Sequence, residues 1–271
     1  MAKYKKKRVR ELQHDRFRDT TMSLFDRLGN ALEGRGRQIL YGLAGLVVVG
    51  LLVLFFVKWS NRKADEARQA LGRAITISTA NIGAPLPGLP DTTQTFNTEQ
   101  ERSQRAIEEF EKVAAKYGDP YRAQAQYFIA SNRLSVDRPK GITELTGLQN
   151  NNIPEVAALS KFALAQAKES DGKLDEAAQL YSDLAKLNGP TITAETANLK
   201  LAKVYEKQGK KKEAADLLFN IVDASRKAKG ADNKPAPVST AAREAEDELK
   251  KLDPDRHAQL PPEAPPTSLL G

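Results

Sequence analysis

Cysteine is missing from this chain of 271 residues, which excludes disulfides, thiol nucleophiles and thiolate metal ligands. Histidine is nearly missing: His14 and His257 are the only two, one near each end. An expected membrane span puts the two on opposite sides, so a two-histidine metal site within one chain is excluded, and a Ser-His-Asp triad on either terminal ring is not expected. No phosphate-binding glycine loop is present, because Gly29 to Gly34 has the spacing but Arg35 follows where lysine is required. Carboxylates come as sequence neighbours, Glu108 with Glu109 and Asp175 with Glu176, and such neighbours splay apart on a helix. No catalytic residue, cofactor or metal is therefore expected, and the chain reads as a non-enzyme. Strand-like alternation is scarce as well, so the expected class is all-α.

What is abundant is apolar and local. Residues 39–57 form an uninterrupted apolar run between Arg37 and Lys58, and fourteen of them are Leu, Ile, Val or Phe. Nineteen residues at about 1.5 Å each make roughly 28 Å of helix, the thickness of a bilayer's hydrocarbon core. A cleaved signal peptide is a poor fit, since its apolar stretch is shorter and ends at a small-residue site. Here the run passes straight into Lys58, Trp59, Ser60, Asn61, Arg62 and Lys63, as an uncleaved signal anchor does.

Charge sets the expected orientation. The chain carries +7 in all, yet residues 1–38 hold eleven basic and five acidic groups, or +6 of it. Basic residues flanking a span stay in the cytoplasm, which places the amino terminus inside and the bulk of the chain outside. The same tail suits contact with anionic lipid, nucleic acid being the lesser expectation. Phe17, Thr21, Leu24, Phe25, Leu28 and Leu32 share one face of an expected amphipathic helix along the membrane. Within the span, Gly42 and Gly45 share a face and are candidates for docking a second membrane helix.

Beyond the span the chain is helical and repetitive. Breaks fall at Gly118-Asp119-Pro120, Pro139, Asn150-Asn151-Asn152 and Asn188-Gly189-Pro190. A shift of 37 residues superimposes Leu164 on Leu201, Ala165 on Ala202, Glu169 on Glu206, Gly172 on Gly209 and Lys173 on Lys210. It also matches Glu176 with Glu213, Ala177 with Ala214, Ala178 with Ala215 and Leu180 with Leu217. A small residue followed four later by a large one recurs as Ala106 and Phe110, Gly141 and Leu145, Ala177 and Tyr181, Ala214 and Leu218. Small residues at a helix crossing let two backbones close to about 8–10 Å.

On these residues the chain resembles the tetratricopeptide repeat family, whose unit is a pair of antiparallel helices. Leu201-Ala202-x-x-Tyr205, Gly209 at the turn and Ala214 carry the resemblance best; Lys168 replaces the tyrosine in the copy before, and Pro139 replaces the turn glycine in the second copy. The resemblance implies an α-solenoid of about four degenerate helix pairs behind a single transmembrane helix. A basic tail, one anchor, a helix continuing from the anchor and several degenerate repeats together resemble the ancillary subunit of the bacterial Sec translocon. That resemblance implies a scaffold or chaperone of the inner membrane, with translocon subunits, periplasmic chaperones or exported clients as partners. A general envelope assembly scaffold and an organelle import receptor with cytosolic repeats are the other readings.

The expected organisation is a basic tail at 1–38, the anchor at 39–57, and a continuing helix with a Pro/Thr-rich loop at 58–98. Repeats follow at 99–225, then a linker at 226–238, a capping helix at 239–253 and a disordered proline-rich tail at 254–271. The first helices of each pair line a solenoid's inner wall, which selects Leu159, Phe162, Gln166 and Glu169, then Thr196, Leu199, Lys203, Glu206 and Lys207, as the candidate protein-binding groove.

Overall fold

The computed structural model describes residues 36–83, 95–230 and 234–262, with side chains from Tyr41 onward. The expected amphipathic stretch of the tail, the proline-rich part of the loop after Gly83 and the end of the chain lie outside the described residues. Two units divide the chain, Met1–Glu66 and Ala67–Gly271.

In the first unit the described residues are helical. Helix α1 runs over Gly36–Ser78, and the division between units falls inside it. It is long and apolar enough to cross a membrane, and its most apolar stretch has none of its surface buried by the rest of the protein. Leu46, Leu54 and Phe55 are 72%, 66% and 70% exposed, which in water would cost far more than an isolated helix can offset.

In the second unit helices alternate as pairs. Ala67, Leu71 and Ala74 of α1 are buried, and Leu71 and Ala74 join Ala106, Ile107, Phe110 and Val113 of α2 (Glu99–Lys116) in one cluster. The next pairs are α3 (Tyr121–Val136) with α4 (Arg138–Leu148), α5 (Pro154–Ser170) with α6 (Leu174–Leu187), and α7 (Ala194–Lys207) with α8 (Lys211–Lys227). The architecture is therefore all-α and tetratricopeptide-like, four helix pairs following the apolar run. All the small and large anchors are buried: Ala106 and Phe110, Gly141 and Leu145, Ala177 and Tyr181, Ala214 and Leu218. At Gly141 the approach is closest, since a Cβ there would stand 2.8 Å from the Leu134 amide nitrogen and 3.0 Å from the Ala130 carbonyl oxygen.

Local chemistry explains the boundaries. Thr98 caps α2 by accepting from the Glu101 amide at 3.1 Å, while the Glu101 carboxylate accepts from the Asn97 amide at 3.1 Å. Turns α5–α6 and α7–α8 are superimposable: Gly172 and Gly209 take φ of 72° and 77°, and Lys173 and Lys210 share φ −82°, ψ 62°. The α3–α4 joint has no such glycine. There Asp137 alone links the helices, its side chain accepting from the Lys140 amide at 3.2 Å.

Three features depart from expectation. Asn81–Ile82 (β1) and Thr95–Phe96 (β2) pair in parallel, a two-residue strap too short to show alternation in sequence. The segment after α8 is more than a linker, because Lys229 bridges Pro235 and the Ala236 amide donates to the Ala228 carbonyl at 2.9 Å. The tail expected to be disordered from 254 is ordered to Pro262. Helix α9 (Thr240–Leu252), capped by Ser239, buries Ala242, Ala245 and Leu249 against α7 and α8, and Asp253 then starts the single turn α10 (Pro254–His257). Asp253 has φ −146°, ψ 84°, nearly the Asp137 values of −143° and 82°. The α9–α10 joint thus has the backbone and the aspartate cap of the α3–α4 joint. Four residues after Asp137 stands Gly141; four after Asp253 stands His257, whose Nε2 lies 3.3 Å from the Glu246 carboxylate of α9.

Candidate protein-binding surface

First helices α5, α7 and α9 are joined by charge. Glu169 on α5 accepts from the Tyr181 hydroxyl of α6 at 3.2 Å and from Lys207 of α7 at 2.5 Å. Lys203 on α7 pairs with Glu244 on α9, and Ser239 at the start of α9 donates to Glu195 of α7 at 2.6 Å. Tyr181 is fully buried, and that burial, reinforced by the Glu169 carboxylate, pushes its hydroxyl well above the ordinary phenol range. Hydrogen bonding between Lys203 and Glu244 raises the ammonium and lowers the carboxyl.

These contacts sort the residues selected for the groove. Gln166 and Glu206 are exposed, and Leu159 and Phe162 are half-buried, with Phe162 meeting the Tyr181 ring edge-on at 5.7 Å between centroids. Glu169, Lys203 and Lys207 serve the ladder between repeats. Thr196 closes the start of α7, its amide donating to Thr193 at 3.2 Å. Leu199 is a correction: at 2% exposure it lies in the core formed with α8 and α9. The sequence missed this because the helix that covers it lies more than 40 residues further along the chain. Gly42 and Gly45 lie in the stretch of α1 that the rest of the protein leaves unburied, and a Cβ at either, as at Gly50, meets nothing within 4 Å.

A second surface was not selected from sequence. A cavity of about 430 Å³ opens among α2, α3 and α4 around Arg133, and one of about 510 Å³ among α4, α5 and α6 around Lys168. Arg133 bridges Glu144 and, at 3.1 Å, Glu111; Lys168 pairs with Glu176 at 2.6 Å and holds its carboxyl below the usual range. Both cations occupy the position of Tyr205 in Leu201-Ala202-x-x-Tyr205, as Ile129-Ala130-x-x-Arg133 and Leu164-Ala165-x-x-Lys168. That alignment fixes the register of the second copy, and the signal was present as a substituted tyrosine position.

Among the described residues no group of three or more His, Cys, Asp or Glu side chains could hold a metal ion. The arrangement offers charges paired between helices, half-buried apolar side chains and grooves open to solvent.

No protein-family model matches the chain, and no curated protein does. Among solved structures, the nearly identical TPR-like repeats of a kinesin light chain-like protein from Podosopora anserina are 19% identical over 56% of this chain and 77% of theirs, with a TM-score of 0.43. A single-substitution variant of the same protein gives the same values. The repeat architecture stands on this chain's own helix pairing, buried anchors and duplicated turns.

Proposed function

We propose that this chain is a membrane-anchored protein-interaction scaffold that works as an ancillary factor of the bacterial Sec translocon. The observation that carries the reading is α1: the apolar run and the first repeat helix are one uninterrupted helix, Gly36–Ser78. An anchor of this kind tethers the repeats to the membrane, raising the local concentration of a segment leaving a channel there. The amino terminus is cytoplasmic and the repeats are periplasmic, as the basic flank implies. Gly42 and Gly45 present the docking side of the span, and the basic tail meets anionic lipid. Leu159, Phe162, Gln166 and Glu206 then provide apolar anchors and polar orientation for an exported client or a periplasmic chaperone.

Affinity purification in mild detergent tests this, with full-length chain compared against chain lacking residues 1–58. Channel subunits co-purify with the first and are lost from the second. Their absence from both overturns the translocon reading and leaves a general envelope scaffold.

A further inference from the structure

The chain has one tryptophan, and it stands where α1 leaves the apolar run. The ammonium of Lys63 lies 3.8 Å from the centroid of the Trp59 ring, and Phe56 meets the same ring at 6.1 Å and 48°. At about 100° per residue, Phe55, Phe56, Lys58, Trp59, Arg62 and Lys63 fall within about 160° of the helix. The opposite sector holds Leu54, Val57, Ser60, Asn61 and Ala64, with no charge. All three cations are exposed, and neither Lys58 nor Arg62 has a carboxylate partner among the described residues. Acidic residues follow at Asp65 and Glu66, and Glu66 shares the sector of the cluster, about 4.5 Å further along the helix than Lys63.

Depth decides what these charges meet. Val57 ends the apolar run, so a rise of 1.5 Å per residue puts Lys58 about 1.5 Å and Lys63 about 9 Å beyond it. A headgroup layer is about 5–8 Å thick on each side of the hydrocarbon, so the cations straddle it. Phe55 and Phe56 lie on the hydrocarbon side, and Trp59 sits where an indole finds both an apolar bed and a hydrogen-bond acceptor.

We infer that Lys58, Trp59, Arg62 and Lys63 form a binding site for the phosphodiester headgroup of an anionic phospholipid, in the leaflet facing the repeats. The Arg62 guanidinium supplies a planar fork for two phosphate oxygens, and Lys58 and Lys63 supply point charges on either side. The Trp59 face holds Lys63 in the cluster by cation–π attraction. One-sidedness matters, because three cations gathered on one face converge on a headgroup that the neutral face leaves alone.

The inference rests on α1 crossing the membrane, and the test separates the two claims. Full-length chain is reconstituted in phosphatidylcholine vesicles, and phosphatidylglycerol or phosphatidylcholine with brominated acyl chains is titrated in while Trp59 emission is read. Brominated phosphatidylglycerol quenches at several-fold lower mole fraction than brominated phosphatidylcholine. The preference falls about twofold for each of Lys58→Gln, Arg62→Gln and Lys63→Gln, and it weakens at high salt. Free glycerophosphate leaves emission unchanged if the site takes the lipid; a shift with it would overturn the assignment to lipid. Equal quenching by both lipids overturns the headgroup site while leaving the span intact. No quenching by either lipid overturns the span reading, and the site with it.

Discussion

Arg138, at the start of α4, donates to Asp171, at the end of α5, with an atomic separation of 2.7 Å. Shifted by 37 residues, the same contact recurs between Asp175 and Gln208 at 2.8 Å with donor and acceptor exchanged. Glu99 and Ser135 make a third version at 2.9 Å. The first residues of α2, α4 and α6 therefore latch the last turn of the first helix in the next pair, so the repeat is duplicated in three of its seams as well as in its anchors.

Arg138 also donates to the Ala167 carbonyl at 2.8 Å and bonds the Ser170 hydroxyl, which makes it worth more than its ion pair. Arg138→Ala should cost about 1–2 kcal/mol and Asp171→Ala about 0.5–1 kcal/mol, because Asp171 loses only a partly exposed pair. Denaturant unfolding of the full chain in detergent, taken round the double-mutant cycle, gives both values and their coupling.

Gly141→Ala drives a methyl into the backbone of α3, and the carbonyl and amide it meets cannot rotate away. Destabilisation of about 1–3 kcal/mol is expected. Gly147→Ala, six residues on in the same helix with nothing within 4 Å, should instead stabilise by about 0.5–1 kcal/mol. Thermal unfolding of the two variants against the parent checks the opposite signs.

The Lys203–Glu244 pair predicts a pH window for the docking of α9. The depressed Glu244 carboxyl contributes stability that is present above its usual 4.5 and lost as pH falls through its folded value. The raised Lys203 ammonium contributes below its usual 10.5 and loses that contribution as pH rises through its folded value. Glu244 is 42% exposed, so solvent screening holds the pair to about 0.5–1 kcal/mol. Glu244→Gln should flatten the acid limb of the melting temperature against pH, leaving stability near neutrality lower by about that amount.

Ser160 is fully buried in α5, and its hydroxyl has no hydrogen-bond partner among the described residues. Ser160→Ala removes a polar atom that has already lost water, and a gain of about 1 kcal/mol in unfolding free energy is expected. Ser160→Val, which keeps no polar atom but adds bulk, should lose that gain through overpacking.

The anchors from Ala106 to Leu218 were legible because a small residue and a large one four apart is a steric requirement of helix crossing, local in sequence and repeated. The apolar run was legible for the same kind of reason, being a composition rule over one continuous window. Leu199 was not, since its burial depends on α9. Nor was the order of 254–262, because Pro261 and Pro262 read as disorder in isolation while the Pro261 carbonyl is held by Arg226 and Leu260 packs on the last core. The ladder of Glu169, Lys203 and Lys207 reads in sequence as charged helix faces; only the stacking of repeats shows which charges are spent on neighbours and which remain for a partner.

A single crossing by α1 leaves the repeats outside, and a chain without cysteine offers a clean background for reading the side on which each segment lies. Thr20→Cys and Gln166→Cys are made separately and treated with a membrane-impermeant maleimide in intact and in permeabilised spheroplasts. Gln166→Cys should label in intact spheroplasts and Thr20→Cys only after permeabilisation; the reverse pattern, or labelling of both in intact spheroplasts, would contradict the account.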